Sequence, residues 1–286
     1  MSNEDDRLTK PEYWAEIHKS HPLSERTKKD PSYFGKLARR ASNSLVQQEG
    51  YASYHFWNVM TRLIRPGFHS RCLEIGAAPG TELIKMNKFF GVIPYGVEYT
   101  APGTLQVRKA LDSIGFPPEH VFECDAFSEE FQSAHAGEFD IVISLGLIEH
   151  FDNVEKIIAH HTHLLKPGGT LVIRIPRLRG VNYLLTRAID PPALQLHNLS
   201  IMSLYPFQSL FALPGFTANY CGYQGGIHLT LADEPRGRWQ GKLTLAVARK
   251  VQALINVALF RLWGNTPPES AAFSPFLVYI GEKKGL

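Results

Sequence analysis

One ten-residue segment, Arg71–Gly80, constrains the fold of this chain more than any other. Residues 72–75 are apolar enough to form a short buried strand, Gly76 and Gly80 bracket a turn, and a helical pattern follows. This arrangement forms a cradle for a small ligand, because glycine lets the backbone approach closely and helix N–H groups face the opening. The spacing differs from the three-glycine dinucleotide fingerprint. Glu74, just before the turn, would repel a pyrophosphate but attract an ammonium group.

Further strand candidates follow in an order typical of an α/β chain. The second strand ends at Glu98, 18 residues after Gly80, where an acid can accept hydrogen bonds from both hydroxyls of a ribose. The third ends at Asp125, a suitable acceptor for the exocyclic amine of a purine. Helices are expected near 103–114 and 153–165. The predicted strands are 72–75, 92–97, 121–124, 139–144, 171–175, 216–223 and 276–282.

Each of the first five strands is followed by a helix, which predicts parallel strands with helices on both faces. Beyond residue 175 the alternation stops, and the last two strand candidates are separated by a long helical stretch, 242–263. We therefore predict a seven-stranded sheet in which one of the last two strands is antiparallel.

Together these segments resemble the class I S-adenosylmethionine-dependent methyltransferases, of the small-molecule or glycan type, over roughly residues 56–175 and more loosely to 282. The resemblance rests on the Glu-x-Gly-x-x-x-Gly turn, on Glu98 and Asp125, on 139–150, and on the sequence Leu-Lys-Pro-Gly-Gly. Ala78 departs from the family, which often has glycine there, and is acceptable if its φ is negative. The resemblance implies a three-layer α/β sandwich with a mostly parallel Rossmann-like sheet and a helical insertion before the last strand. It also implies an N-terminal helical cap over residues 1–66 and a core over 67–286.

The resemblance further implies S-adenosylmethionine as the cofactor. Glu74, Gly76 and Gly80 would hold its methionine end, Glu98 its ribose and Asp125 its adenine. The full set of expected cofactor residues is Glu74, Gly76, Ala77, Gly80, Glu98, Asp125, Ala126, Ser144 and Leu145.

Two histidines are candidates for catalysis. His150 follows the fourth strand at the carboxyl end of the sheet, where ligands of such folds bind, so it is the first choice as general base. Its alternative role is capping or packing. His197 lies in the segment expected to form the acceptor pocket. The cluster His160, His161 and His163 lacks the pattern of a metal shell and reads as a solvated helix face, so no metal site is predicted.

The acceptor is expected to be a small molecule or a glycan. Arg174, Arg177 and Arg179 follow the fifth strand and would make the acceptor anionic if they face the pocket, with surface charge as the alternative. Tyr54 of the cap is also assigned to the acceptor pocket. The fourth strand ends in Ser144, without the motifs of adenine-N6 or ribose 2′-O methylation, and basic and aromatic residues are not interleaved, so nucleic acid is not expected.

Composition bounds the remaining choices. The chain has 286 residues, 44% hydrophobic and 20% charged, a net charge of +3 and three cysteines, which is ordinary for a globular protein. Its first residues are acidic, are expected to be disordered and lack a signal region, so a cytoplasmic enzyme is expected. The apolar helix 242–263 is interrupted by charges and predicts internal packing or a homodimer, or else peripheral contact with a membrane or lipid substrate.

Two other classes stay open from the sequence. The chain could bind the cofactor as a regulatory or scaffold subunit without turnover, or it could be a nicotinamide-dependent oxidoreductase on a related sheet. Glu74 and the missing three-glycine fingerprint argue against the second. A methyltransferase acting on a lipid-linked substrate or on RNA is the alternative within the family.

Overall fold

A computed structural model describes residues 6–20, 50–67, 69–229, 231 and 239–285, with the backbone alone for 239 and 240. Its strands are β1 Arg71–Ile75, β2 Ile93–Val97, β3 Val121–Phe122, β4 Phe139–Leu145, β5 Leu165–Pro176, β6 Phe216–Gln224 and β7 Phe276–Lys283. Its α-helices are α1 Pro11–Ser20, α2 Tyr51–Leu63, α3 Thr81–Phe90, α4 Ala101–Asp112, α5 Glu129–Ala134, α6 Val154–Leu164, α7 Val181–Ile189, α8 Leu204–Ser209 and α9 Trp239–Trp263.

The seven strands form one sheet in the order β3-β2-β1-β4-β5-β7-β6. Strands β1 to β5 are parallel, and β7 runs antiparallel to both of its neighbours. The predicted fold class, strand count and strand directions are confirmed. The order reverses between β1 and β4, and α/β sheets bind ligands at the carboxyl ends of the strands beside such a reversal.

Both faces of the sheet are covered. On one face α2 and α3 pack on β1, β4, β5 and β7, where Phe56, Met60 and Met86 belong to the same apolar cluster as Cys72 and Ile143. The other face carries α5, α6 and α8 over the alternate residues of the same strands. Because successive strand residues point to opposite faces, the near-continuous apolar runs of β4 and β5 supply both layers.

Several predicted boundaries need correction. Strand β3 ends at Phe122 rather than residue 124, because it lies at the sheet edge and pairs only with Gly96 and Val97. Strand β5 begins at Leu165, so the predicted turn Leu-Lys-Pro-Gly-Gly lies inside an irregular start of that strand. The predicted helical cap is helical over α1 and α2. Its part over 21–49 lies outside the described residues.

Helix α9 packs through one narrow face. Leu245, Ala248, Gln252 and Leu259 are buried. Large apolar side chains are exposed elsewhere along it: Leu243, Val247, Val251, Leu254, Leu262 and Trp263. Over Gly241–Trp263 this is the one helix of the described chain that is long and apolar enough to cross a membrane, judged by length and composition alone. Internal packing therefore accounts for only part of its apolar surface.

Candidate active site

A cavity opens at the carboxyl ends of β1, β2 and β4, where the sheet order reverses. The turn after β1, the end of β2, the loop after β3 and the turn after β4 form its walls, and residues 6–20 cover it. Its lining consists of Arg7, Thr9, Trp14, His18, Ile75, Gly76, Ala78, Val97, Glu98, Tyr99, Cys124, Asp125, Ala126, Phe127, Leu145, Gly146, Leu147, His150 and Phe151. Of the nine predicted cofactor residues, five line this cavity: Gly76, Glu98, Asp125, Ala126 and Leu145.

The turn after β1 is shaped by its two glycines. Gly76 has φ +71°, and a Cβ there would lie 3.3 Å from the Leu147 side chain across the cavity floor. Gly80 has φ +89°, and a Cβ there would meet Ala110 at 2.7 Å. Only glycine satisfies both demands at Gly80. Ala78 is not among the described residues with positive φ, so alanine is unstrained there.

Glu74 does not line the cavity. It is buried within the sheet, opposite Gly96 of β2 and Ile143 of β4. Burial raises its pKa well above the usual value, and its Oε2 has no hydrogen-bond partner among the described residues. Ala77, Gly80 and Ser144 also lie behind the lining, and the buried Ser144 hydroxyl is likewise unpartnered within the described chain.

Glu98 directly follows β2 in the cavity wall. Its Oε1 accepts hydrogen bonds from Thr100 N at 2.9 Å and from Thr100 Oγ1 at 2.7 Å. Thr100 in turn caps α4 by accepting a hydrogen bond from Gly103 N. Burial raises the pKa of Glu98, and the hydrogen bonds from Thr100 oppose that shift. The carboxylate is thus held in one orientation at the cavity edge.

Asp125 follows β3 and is already engaged at both oxygens. Oδ1 accepts a hydrogen bond from Phe127 N at 3.0 Å, and Oδ2 forms a 2.7 Å ion pair with Arg7 Nη2. The Arg7 guanidinium also lies over the ring of Tyr99, 4.9 Å from its centroid. An adenine amine binding to Asp125 would therefore share this carboxylate with Arg7.

The cover over the cavity, residues 6–20, was missed at the level of individual residues. The first ten residues were expected to be disordered, yet Leu8 N donates to His150 O at 2.8 Å and Asp152 N donates to Asp6 O at 2.9 Å. His18 Nδ1 lies 2.8 Å from Thr100 Oγ1. The aromatic content of this segment was the available signal, but it cannot be told apart from core packing without the fold.

The two predicted catalytic histidines meet beside the cavity, with an acid that the sequence did not single out. The rings of His150 and His197 have centroids 4.5 Å apart, and Glu149 Oε1 lies 3.8 Å from His150 Nε2. Trp14 packs edge-on against His150, with ring centroids 5.0 Å apart. Burial lowers the pKa of His150 to about 3, so its imidazole is neutral in this environment.

The predicted acceptor residues lie elsewhere and need correction. Among the residues lining the cavity there is no arginine after β5. The buried Arg177 donates to the backbone carbonyls of Ser274 and Ala271, and Arg179 donates to Leu199 O at 2.8 Å. These carbonyl groups belong to other segments of the chain, so the sequence around β5 could not predict that they accept hydrogen bonds from the two arginines.

Arg174 and Tyr54 are corrected in the same way. The Arg174 guanidinium lies over the rings of Phe56 and Phe276, at 4.7 and 3.7 Å from their centroids. Tyr54 packs on Phe260 of α9 and donates its hydroxyl hydrogen to Asn265 Oδ1. Both side chains join α2 to the rest of the fold, and neither lines the cavity.

The reading of the His160, His161 and His163 cluster as a solvated face is wrong for His161. This side chain is fully buried, and its Nδ1 donates to Ile157 O at 2.7 Å. Burial lowers its pKa to about 4. Its spacing from Val154, Ile157 and Leu164 places it on the inner face of α6.

Comparisons with known proteins identify the kind of domain that this chain contains. The sequence profile of a methyltransferase domain matches residues 24–217. Among curated proteins the similarity is local. A stretch of 64 residues is 36% identical to a ubiquinone biosynthesis O-methyltransferase of Aromatoleum aromaticum, and 58 residues are 33% identical to the protein of that name from Thiobacillus denitrificans. Each match covers 20% of this chain, and 27% and 25% of those relatives, so it spans about a quarter of their length.

Solved structures share the fold at low identity. The phosphoethanolamine N-methyltransferase 2 of Haemonchus contortus, solved with S-adenosylhomocysteine, has a TM-score of 0.53 at 16% identity, over 83% of this chain and 53% of its own. The geranyl diphosphate C-methyltransferase of Streptomyces coelicolor, also solved with S-adenosylhomocysteine, has a TM-score of 0.54 at 13% identity, over 92% and 87%. These proteins methylate at nitrogen and at carbon by their names, so the shared fold leaves the acceptor atom open.

Proposed function

We propose that this chain, which belongs to the family of methyltransferase domains and uses S-adenosylmethionine as its methyl donor, methylates a hydroxyl group of a small, largely apolar acceptor. The observation that carries the choice of a hydroxyl is the polar group formed by Glu149, His150 and His197, hereafter the Glu-His-His cluster. It lies beside the apolar residues Leu147 and Phe151 of the cavity.

The cavity suits the cofactor at several points. Gly76 leaves the floor open to a ligand, Glu98 presents an oriented carboxylate to a ribose, and Asp125 lies at the far wall. When bound, the cofactor supplies a methyl group already activated by a positive sulfur. The protein then has to align the acceptor with that methyl group and exclude water. Trp14 and Phe151 supply apolar cover for this purpose.

His150 is proposed to orient the acceptor. Its Nδ1 is hydrogen-bonded to Leu196 O at 2.7 Å, and a carbonyl oxygen can only accept, so the lone pair of this neutral ring is on Nε2. A hydroxyl group can donate its hydrogen to that nitrogen. The stronger role of general base, predicted from the sequence, stays a prediction. Orienting the acceptor requires only the hydrogen bond to Nε2 of His150.

The acceptor class follows from the walls and from the local relatives. Ile75, Leu147, Phe127 and Phe151 favour an apolar body, and the local relatives are, by name, O-methyltransferases of ubiquinone biosynthesis. The arginines that predicted an anionic acceptor bind backbone carbonyls and aromatic rings outside the cavity, so they do not support an anionic acceptor. A glycan or RNA acceptor has no comparable support from the cavity.

The test is a methyl-transfer assay that measures S-adenosylhomocysteine release with a phenolic polyprenyl acceptor, phosphoethanolamine and geranyl diphosphate in parallel. We expect turnover with the phenolic acceptor. A His150→Gln variant should lose about 10²-fold in turnover, because a misplaced acceptor costs about that much. Its affinity for S-adenosylhomocysteine should stay within threefold.

The control is His163→Gln, which alters an exposed histidine of α6 and should behave as wild type. Normal turnover in the H150Q variant would remove His150 from the proposal. Tight S-adenosylhomocysteine binding with no turnover on any acceptor would favour the alternative, a cofactor-binding regulatory or scaffold subunit.

Helix α9 supports a second aspect, peripheral contact with an anionic lipid surface from the cytoplasmic side. Leu243, Val247, Val251 and Leu254 of this helix are exposed, and its sequence contains four basic residues and no acid. Such a helix lies in a membrane interface with its cations near anionic headgroups. Sedimentation with anionic and with zwitterionic vesicles tests this. Val247→Glu combined with Val251→Glu should abolish binding to anionic vesicles. If the chain instead forms a salt-resistant homodimer and these changes dissociate it, the exposed face of α9 binds a second copy of the chain.

A further inference from the structure

The Glu-His-His cluster has the composition of a metal site. Glu149 and His150 are buried, His197 is partly buried, and one ligand atom from each lies within 4.8 Å of the others. We propose that the cluster binds one divalent first-row transition-metal ion of the zinc type. The sequence predicted no metal site, because His197 stands far from Glu149 along the chain and no ligand spacing motif joins them.

The two imidazoles are oriented as metal ligands usually are. His150 Nδ1 donates to Leu196 O at 2.7 Å, and His197 Nδ1 donates to Ala193 O at 2.6 Å. Because carbonyl oxygens only accept, both rings carry the hydrogen on Nδ1 and the lone pair on Nε2. A backbone carbonyl on the far nitrogen fixes the tautomer and the ring plane, as the outer shell of a metal site does.

The carboxylate supplies the second, independent observation. Glu149 is 1% exposed, and neither of its oxygens has a hydrogen-bond partner among the described residues. Its Oε1 lies 3.8 Å from His150 Nε2. A charged carboxylate in such a place is costly, so a buried carboxyl group either keeps its proton or is paired with a cation or a metal ion. A dication between the carboxylate and the imidazoles would offset that cost.

The backbone holds the three ligands together. Asn198 N donates to Glu149 O at 2.6 Å, and Asn198 Nδ2 donates to Phe151 O at 3.0 Å. These bonds fix the residue after His197 against the turn that carries Glu149 and His150. Two ligands at zinc, each about 2.0–2.1 Å from the ion in a tetrahedral site, lie about 3.3 Å apart. The ligand atoms therefore need to approach by about 0.5–1.5 Å on binding.

The site would keep an open position toward the cavity. His150 lines the cavity, and so does Gly146, where an added Cβ would lie 3.5 Å from Glu149 Oε1. Three protein ligands with a fourth position open is the arrangement of catalytic zinc, whereas closed structural sites use four. Two imidazoles and one carboxylate favour zinc, iron, cobalt or nickel over magnesium or calcium, which prefer oxygen ligands. When the ion is bound, Nε2 of His150 is occupied by the ion, so the acceptor hydroxyl would meet the ion in place of this nitrogen and be polarised by it. This role rests on the proposed function, while binding itself does not.

The experiment measures binding of the metal alone. The full chain, prepared without a polyhistidine tag and stripped with a chelator, is titrated with Zn²⁺ by calorimetry and with Co²⁺ by visible absorption. We expect one equivalent per chain and the absorption of a low-coordinate Co²⁺ site. Glu149→Gln and His197→Ala should each weaken binding about 100-fold or more, since even outer-shell changes cost about 10–100-fold. His163→Gln, an exposed histidine outside the cluster, is the control and should bind as wild type.

S-adenosylhomocysteine binding and circular dichroism report folding of each variant, so a loss of metal binding with both intact supports the site. The proposal is overturned if the wild-type chain does not bind one equivalent of the metal. It is also overturned if the E149Q and H197A variants bind the metal as tightly as the wild type does. Methyl transfer is scored separately. Metal binding without methyl transfer would support the metal site and contradict the proposed function. Methyl transfer by a chain that binds no metal, unaffected by the chelator, would support the proposed function and contradict the metal site.

Discussion

Glu98 offers the sharpest test of how the cavity holds its cofactor. It is 3% exposed, and Thr100 already donates two hydrogen bonds to its Oε1. In a Glu98→Gln variant the amide oxygen can keep the Thr100 donors. The amide NH₂ group then faces the position at which the two ribose hydroxyls are expected to need an acceptor. The shape of the side chain is retained while the charge and the acceptor are lost.

The expected magnitude follows from the two bonds. Hydrogen bonds to charged groups contribute about 1.5–3 kcal/mol and neutral ones about 0.5–1.5 kcal/mol, so two such exchanges cost about 2–3 kcal/mol. This corresponds to a loss of affinity of about 30- to 150-fold. The measurement is calorimetry with S-adenosylhomocysteine, which cannot be turned over.

The matched control is Glu123→Gln, which alters an exposed carboxylate paired with Arg108 at 3.2 Å. It should change affinity less than twofold, because exposed ion pairs contribute little. If the E98Q variant is folded and binds within threefold of wild type, the ribose is not held by Glu98, and the assignment of this wall of the cavity is wrong.

Two further predictions concern stability. Gly80→Ala should lower the free energy of unfolding by about 2–5 kcal/mol, because of the positive φ and the 2.7 Å approach to Ala110. Gly91→Ala, with φ +66° and nothing within 4 Å, should lower it by only about 1–2 kcal/mol. Equal losses in urea unfolding would contradict the packing argument. Burial lowers the pKa of His161 from 6.5 to about 4, so the unfolded chain binds more protons and the free energy of unfolding falls as the pH drops from 6.5 toward 4. His161→Leu should remove about 2 kcal/mol of this decline between about pH 7 and pH 5, whereas His163→Gln should leave it unchanged. A decline that persists in the H161L variant would show that other groups cause it.

The sequence predicted the elements whose signal is local. The strands of the parallel half are short apolar runs bounded by turn residues, and their order along the chain fixes which ends meet. Five predicted cofactor residues consequently line one cavity, since Gly76, Glu98, Asp125 and Leu145 each follow or end a strand. A regular helix face could also have identified His161, because it continues the inner positions of α6.

Contacts between distant segments could not be predicted in this way. Arg177 was read as a ligand for an acceptor, but its carbonyl partners follow α9, far along the chain. Glu149 looked like one of many acids until the fold brought His197 against it. The ion pair of Arg7 with Asp125 joins the cover to a strand end more than a hundred residues away. In each case the role of the residue depends on a partner from a distant segment, and the sequence does not show which segment that is.

The position of β7 has a consequence for synthesis of the protein on the ribosome. Strand β6 pairs with β7, and β7 in turn joins it to β5, although β6 is made first. Until residues 276–283 emerge, β5 and β6 each present an unpaired edge, and such edges are templates for pairing with other chains. A nascent chain that ends before Phe276 would therefore hold a nearly complete parallel half beside two exposed edges.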